Sequence, residues 1–169
     1  MTELISLLVF CQALGASVGA FTAVWGEFAY VRAMRDGKID IAERAHLRII
    51  ANGLRFGMML ILLSSFGLVI VAYVVQASFQ PALSTSYWTL VVLAFLIIGV
   101  SLALARRRIS FALGSAIVFT AWWFLAHLVF GWFPALSFGA VVAFFVIAVA
   151  IFYAVLGSAR FLMFDLHKK

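Results

Sequence analysis

Five apolar runs, each long enough to cross a bilayer, dominate what this chain can fold into. They are Leu4–Val31, Ile49–Val75, Tyr87–Ala105, Ile109–Phe133 and Leu136–Ala159, between 19 and 28 residues long. A spanning helix needs about 20 mostly apolar residues. A water-soluble globule is a poor alternative, because 67% of the 169 residues are apolar and 11% are charged, against about 45–50% and about 25% in ordinary soluble domains. At 18.6 kDa and a mean hydropathy of +1.20, the chain has too much surface for its volume to hide that surplus from water. Alternating strands with a turn every ten residues or so are absent, which argues against a membrane β-barrel. The first run lacks a basic leader and is too long for a cleaved signal, so it reads as a span. The expected fold class is an all-α membrane protein, one bundle of five transmembrane helices over residues 1–169.

The cations orient the bundle. Arg32, Arg35, Lys38, Arg44 and Arg48 lie between the first two runs, in a hairpin over residues 32–48. Arg106, Arg107 and Arg108 join the third run to the fourth, and Arg160, Lys168 and Lys169 follow the fifth. The N-terminal stub, Gln76–Ser86 and Pro134–Ala135 carry none. Cytoplasmic loops are enriched in Lys and Arg, so the N-terminus is expected outside and the C-terminus in the cytoplasm. The net charge of +6 is then a topology signal that also meets anionic lipid heads, and no nucleic-acid partner is expected. The expected location is a bacterial cytoplasmic (inner) membrane, with the lipid bilayer as the first partner. The lone Cys11 implies no structural disulfide and reads as a small packing residue.

In the hairpin, Asp36-Gly37 is a turn signal. Asp40 with Glu43 three residues on forms a capping box, so a second helix should start near Ile41 and run unbroken into the second span. Asp36, Gly37, Ile39 and Glu43 also match four positions of a calcium loop. Arg32 and Met34 stand where two of its oxygen ligands belong, so no metal site is expected.

Ionisable side chains inside spans are costly and are candidates for function. Glu27 lies five residues inward of Arg32 and Arg55 seven inward of Arg48, about 7.5 and 10 Å at 1.5 Å per residue. Nearly equal depth on consecutive antiparallel helices predicts a Glu27–Arg55 ion pair. Asn52 shares the Arg55 face, and Gln12 shares the Glu27 face with Ala16, Gly19 and Ala23. Glu27, Arg55, Asn52 and Gln12 therefore form the expected intramembrane polar site. Gly15 with Gly19, and Gly53 with Gly57, are small-xxx-small pairs that let two helices approach closely.

His127 lies near the outer end of the fourth run, with Trp123 four residues before it and Phe130 three after. An imidazole among aromatic walls suits a haem or quinone; an interfacial aromatic belt holding one hydrogen-bonded histidine suits the same residues. His127, Trp123 and Phe130 are the candidate cofactor residues. The other two histidines, His46 and His167, lie toward the opposite side, so a haem held by two imidazoles of one chain is not expected. No paired carboxylates, metal-spaced cluster, phosphate loop or Ser/His/Asp group suggests an enzyme.

The segments Cys11-Gln12-Ala13-Leu14-Gly15-Ala16, Arg35-Asp36-Gly37-Lys38-Ile39-Asp40 and Met58–Ile70 resemble a group of uncharacterised small bacterial integral membrane proteins over about the first 70 residues. Their first helix tends to carry a histidine where this chain has Gln12. Similar histidine-bearing first helices occur in the copper-resistance and protoporphyrinogen-oxidase-like membrane families, where they imply haem or copper. That histidine is absent here. Three functions remain in order of expectation: an accessory, structural or assembly subunit packed as a homo-oligomer or in a larger membrane complex; a small-solute or ion transporter using Glu27 and Arg55; and a haem- or quinone-binding redox protein using His127.

Overall fold

The computed structural model of the chain describes residues 2–33, 40–77, 80–133 and 137–165. They form α1 (Thr2–Ala33), α2 (Ile41–Val74), a short 3-10 turn at Pro81–Leu83, α3 (Thr85–Ala105), α4 (Phe111–Val129) and α5 (Phe138–Asp165). There is no strand among the described residues. All five helices are long and apolar enough to cross a membrane, as in a multi-pass membrane protein. The Asp36-Gly37 turn, the partial calcium loop, the Pro134–Ala135 turn and His167 lie outside the described residues.

Helix ends follow local chemistry. Asp40 caps α2: its carboxylate accepts from the backbone of Ile41 at 2.6 Å, while Glu43 Oε2 accepts from Asp40 N–H at 2.9 Å. The capping box thus starts α2 where the sequence places it. Ser84 Oγ accepts from Tyr87 N–H and Ser110 Oγ from Leu113 N–H, so serine caps α3 and α4. Three helices stop in one way. After α4, Gly131 N–H donates to the Leu128 carbonyl and Trp132 N–H to the His127 carbonyl, with Gly131 at φ +69°. This is the Schellman arrangement, which needs a left-handed residue. Gln76 after α2 and Arg107 after α3 hold the same turn at φ 53° and 54° without being glycine.

Two run boundaries differ from the sequence expectation in ways that matter. The expected fourth span reaches Phe133, but Gly131 ends α4 at Val129, so His127 sits in its last turn. The expected fifth span ends at Ala159, but α5 continues to Asp165 and places Arg160 within the helix.

The helices pack around α4, which touches α1, α3 and α5, while α1 and α2 lie along each other. At their crossing a Cβ on Gly15 would fall 2.7 Å from the Gly57 carbonyl, and one on Gly57 2.8 Å from the Gly15 carbonyl. Only glycine permits that approach. Gly19 opens a second gap, which the fully buried Trp122 of α4 fills. Ala16, Ala20, Ile61, Ala121 and Leu125 complete this centre. By contrast, α2 and α3 touch little despite following each other in the chain.

Candidate functional site

Where α1 ends and α4 begins, three helices meet through polar side chains. Glu27 comes from α1, Ser115 from α4 and Arg160 from α5. Arg160 Nη2 donates to Glu27 Oε2 at 2.5 Å and to Ser115 Oγ at 2.7 Å. The Ser115 hydroxyl in turn donates to the Ala112 carbonyl at 3.2 Å. The Arg160 and Glu27 side chains are only 11% and 13% exposed. The rings of Tyr30 and Phe111 stack with centroids 3.7 Å apart. The guanidinium carbon lies 5.7 Å from the first centroid and 5.3 Å from the second. That distance allows a cation–π contribution on top of the ion pair. Arg160 Nε is buried without an acceptor among the described residues. A cavity of about 190 Å³ borders the pair, walled by Val24, Phe28, Phe119 and Leu156.

The expected Glu27–Arg55 pair does not form; Glu27 binds Arg160 instead. The α1–α2 register explains why. Gly26 stands against Ile50 and Gly53 against Thr22. This puts Glu27 level with Ile49, six residues from Arg55, an offset of about 9 Å. Arg55 and Asn52 lie exposed on the outer face of α2, where Arg55 Nη1 donates to Asn52 Oδ1 at 3.5 Å. Gln12 is elsewhere again: its Nε2 donates to Ser65 Oγ of α2 at 2.9 Å. The four residues expected at one polar site therefore occupy three places. Arg160 and Ser115 were the missing members. Arg160 was hidden by counting it as a flanking cation, although it lies one residue past an apolar run. Ser115 reads in the sequence as a lone mid-span serine without a base nearby, and such a serine usually bonds its own helix.

At the far end of α4, His127 Nδ1 is 2.8 Å from the Trp123 carbonyl. A carbonyl only accepts, so Nδ1 carries a proton. Trp123 lies 6.2 Å and Trp132 5.7 Å from the imidazole, centroid to centroid, while Phe130 stacks on Trp132 rather than on His127. His46 is at the opposite end of the bundle, where its Nε2 accepts from Trp25 Nε1–H at 3.2 Å. His127 and His46 therefore stand too far apart to share one haem. Among the described residues no three His, Cys, Asp or Glu side chains gather as a metal site.

No family model, no curated protein and no solved structure matches the chain.

Proposed function

We propose that the chain is an accessory or assembly subunit of the bacterial cytoplasmic membrane, inserted with its N-terminus outside and working by packing rather than by catalysis. The observation that carries this reading is the contrast between α5 and the clasp that holds it. Arg160 bonds to both Glu27 and Ser115, so the polar side chains here pair within the bundle. The rest of α5 is apolar and almost uncovered: Val142, Val146, Ile147, Ile151 and Val155 are each 45–60% exposed. A helix fixed to its bundle by α4 and one ion pair, with its other faces bare, is suited to lie against a partner helix. In membranes such contacts rest on van der Waals packing, since lipid tails are as apolar as the side chains.

The test is native electrophoresis of membranes dissolved in mild detergent, with the bands identified by mass spectrometry. The expected result is a complex in which the chain co-migrates with a second membrane protein, dispersed by Ile147→Trp with Ile151→Trp. A chain that runs as a monomer from its own membranes overturns the reading. Orientation is tested by single cysteines replacing Ser84 and Arg107, at opposite ends of α3 in a Cys11→Ser background. An impermeant thiol reagent on intact cells should label the first and spare the second; the reverse pattern overturns the proposed orientation.

A second reading, small-solute or ion transport, is favoured by the cavity beside the clasp and by the free Nε of Arg160. A folded Glu27→Gln, Arg160→Met double variant that abolishes solute flux in proteoliposomes would establish it, and an absence of flux in the wild-type protein would remove it.

A further inference from the structure

Between α2 and α3 runs a lateral groove of about 600 Å³. That volume lies within the range of small-molecule sites, roughly 300–1,000 Å³. It exists because the two consecutive helices diverge. Of its lining side chains only Arg55 and Ser101 are polar; Met59, Leu63, Phe66 and Ile98 represent the rest. From Arg55 to Phe66 is eleven residues of α2, about 16 Å. One leaflet of a hydrocarbon core about 30 Å thick has nearly that depth.

The polar groups gather at one end. Arg55 and Ala105 line the groove together, and the exposed Arg106, Arg107 and Arg108 follow directly. The left-handed turn at Arg107 holds these arginines at the end of α3. Arg55 makes no ion pair among the described residues, whose one salt bridge joins Glu27 to Arg160. An arginine exposed seven residues inward of Arg48 on an apolar helix carries a desolvation cost that an anion would offset. An apolar slot one leaflet long with a cationic end matches an anionic lipid of the bilayer in shape and charge. Basic pockets between transmembrane helices commonly take anionic lipid heads.

We propose that the α2–α3 groove binds an anionic phospholipid of the surrounding bilayer, with one acyl chain along Met59, Leu63 and Ile98 and the phosphate held by Arg55 and the Arg106–Arg108 turn. The site is separate from the Glu27–Arg160 clasp and does not depend on the function proposed above.

Native mass spectrometry tests it. The purified chain is equilibrated in detergent with equimolar phosphatidylglycerol and phosphatidylcholine of the same chain length, and retained lipid is counted. The wild-type protein should retain phosphatidylglycerol over phosphatidylcholine by about fivefold or more, the factor expected for one basic side chain. Arg55→Gln should lower that preference by about fivefold. Arg48→Gln, an exposed cation on the same helix but outside the groove, should leave it unchanged. Ile98→Trp, which fills the slot, should lower retention of both lipids, with melting temperature checking that the variant is folded. Equal retention of the two lipids by the wild type overturns the proposal, as does an equal loss in Arg48→Gln and Arg55→Gln. A groove closed by a second copy of the chain, seen as a lipid-free dimer, overturns it too.

Discussion

Arg160 and Arg55 both stand on apolar helices, and they are handled in opposite ways. Arg160 is 11% exposed, bonded to a carboxylate and a hydroxyl, and stacked near two rings. Arg55 lies on an outer surface with one amide oxygen at 3.5 Å. The difference comes from which helices close around each residue. α1, α4 and α5 converge where Glu27 stands, so a cation there meets a fixed anion. α2 and α3 part beside Arg55, so a cation there faces a groove. Taking a charge into an apolar surround is tolerable only with a partner. One side of the bundle supplies the partner from its own chain, and the other leaves it to the bilayer.

The largest expected effect tests the closed side. Glu27→Gln or Arg160→Met alone strands one buried charge and should lower stability by about 3–5 kcal/mol. The double variant should recover part of that loss, with a coupling of about 1–3 kcal/mol as for contacting residues. The same cycle built from Glu27→Gln and Arg55→Met should be additive, because the two residues are about 9 Å out of register. Thermal unfolding in detergent, followed for all five variants, measures both cycles. Coupling in the second cycle and none in the first would reverse the assignment of partners.

Much of this architecture is legible in the chain, and the part that is not has a specific cause. The capping box at Asp40 and Glu43, the glycines 15 and 57 and the number of spans all follow from short-range rules about caps, close approach and apolar length. Depth measured inward from two flanking cations, Arg32 and Arg48, pairs Glu27 with the wrong arginine. Depth depends on where the hairpin folds back, and the Gly26–Ile50 and Thr22–Gly53 contacts show a different fold-back. His127 moved for a related reason: hydropathy runs through Gly131, but backbone conformation stops there. Long-range partners such as Glu27 and Arg160, 133 residues apart, carry no local signature at all.

A middle-sized effect sharpens the contrast between the packed and the open side. A Cβ on Gly19 would fall 1.9 Å from the Trp122 ring, whereas one on Gly99 of α3 meets nothing within 4 Å. Gly19→Ala must therefore displace a fully buried tryptophan, and overpacking of this kind costs about 1–3 kcal/mol. Gly99→Ala should be neutral or slightly stabilising, since alanine favours a helix over glycine. Matching melting temperatures for the two variants would show that α1 and α4 are less tightly joined than their geometry implies.

The smallest effect belongs to Arg55 itself. Arg55→Gln removes an exposed side chain whose one hydrogen bond is long, and such changes usually shift stability by no more than about 0.5 kcal/mol. In zwitterionic detergent without added lipid, its melting temperature should therefore match the wild type. Adding phosphatidylglycerol should separate them. A ligand that binds only the folded state raises stability with its concentration, so the wild type should gain and Arg55→Gln should gain less. The same titration on Glu27→Gln should give the full wild-type gain above a lowered baseline, because the clasp and the groove share no residue. If Arg55→Gln is instead destabilised without lipid as strongly as Glu27→Gln, then Arg55 has a partner within the chain, and the two arginines are handled alike after all.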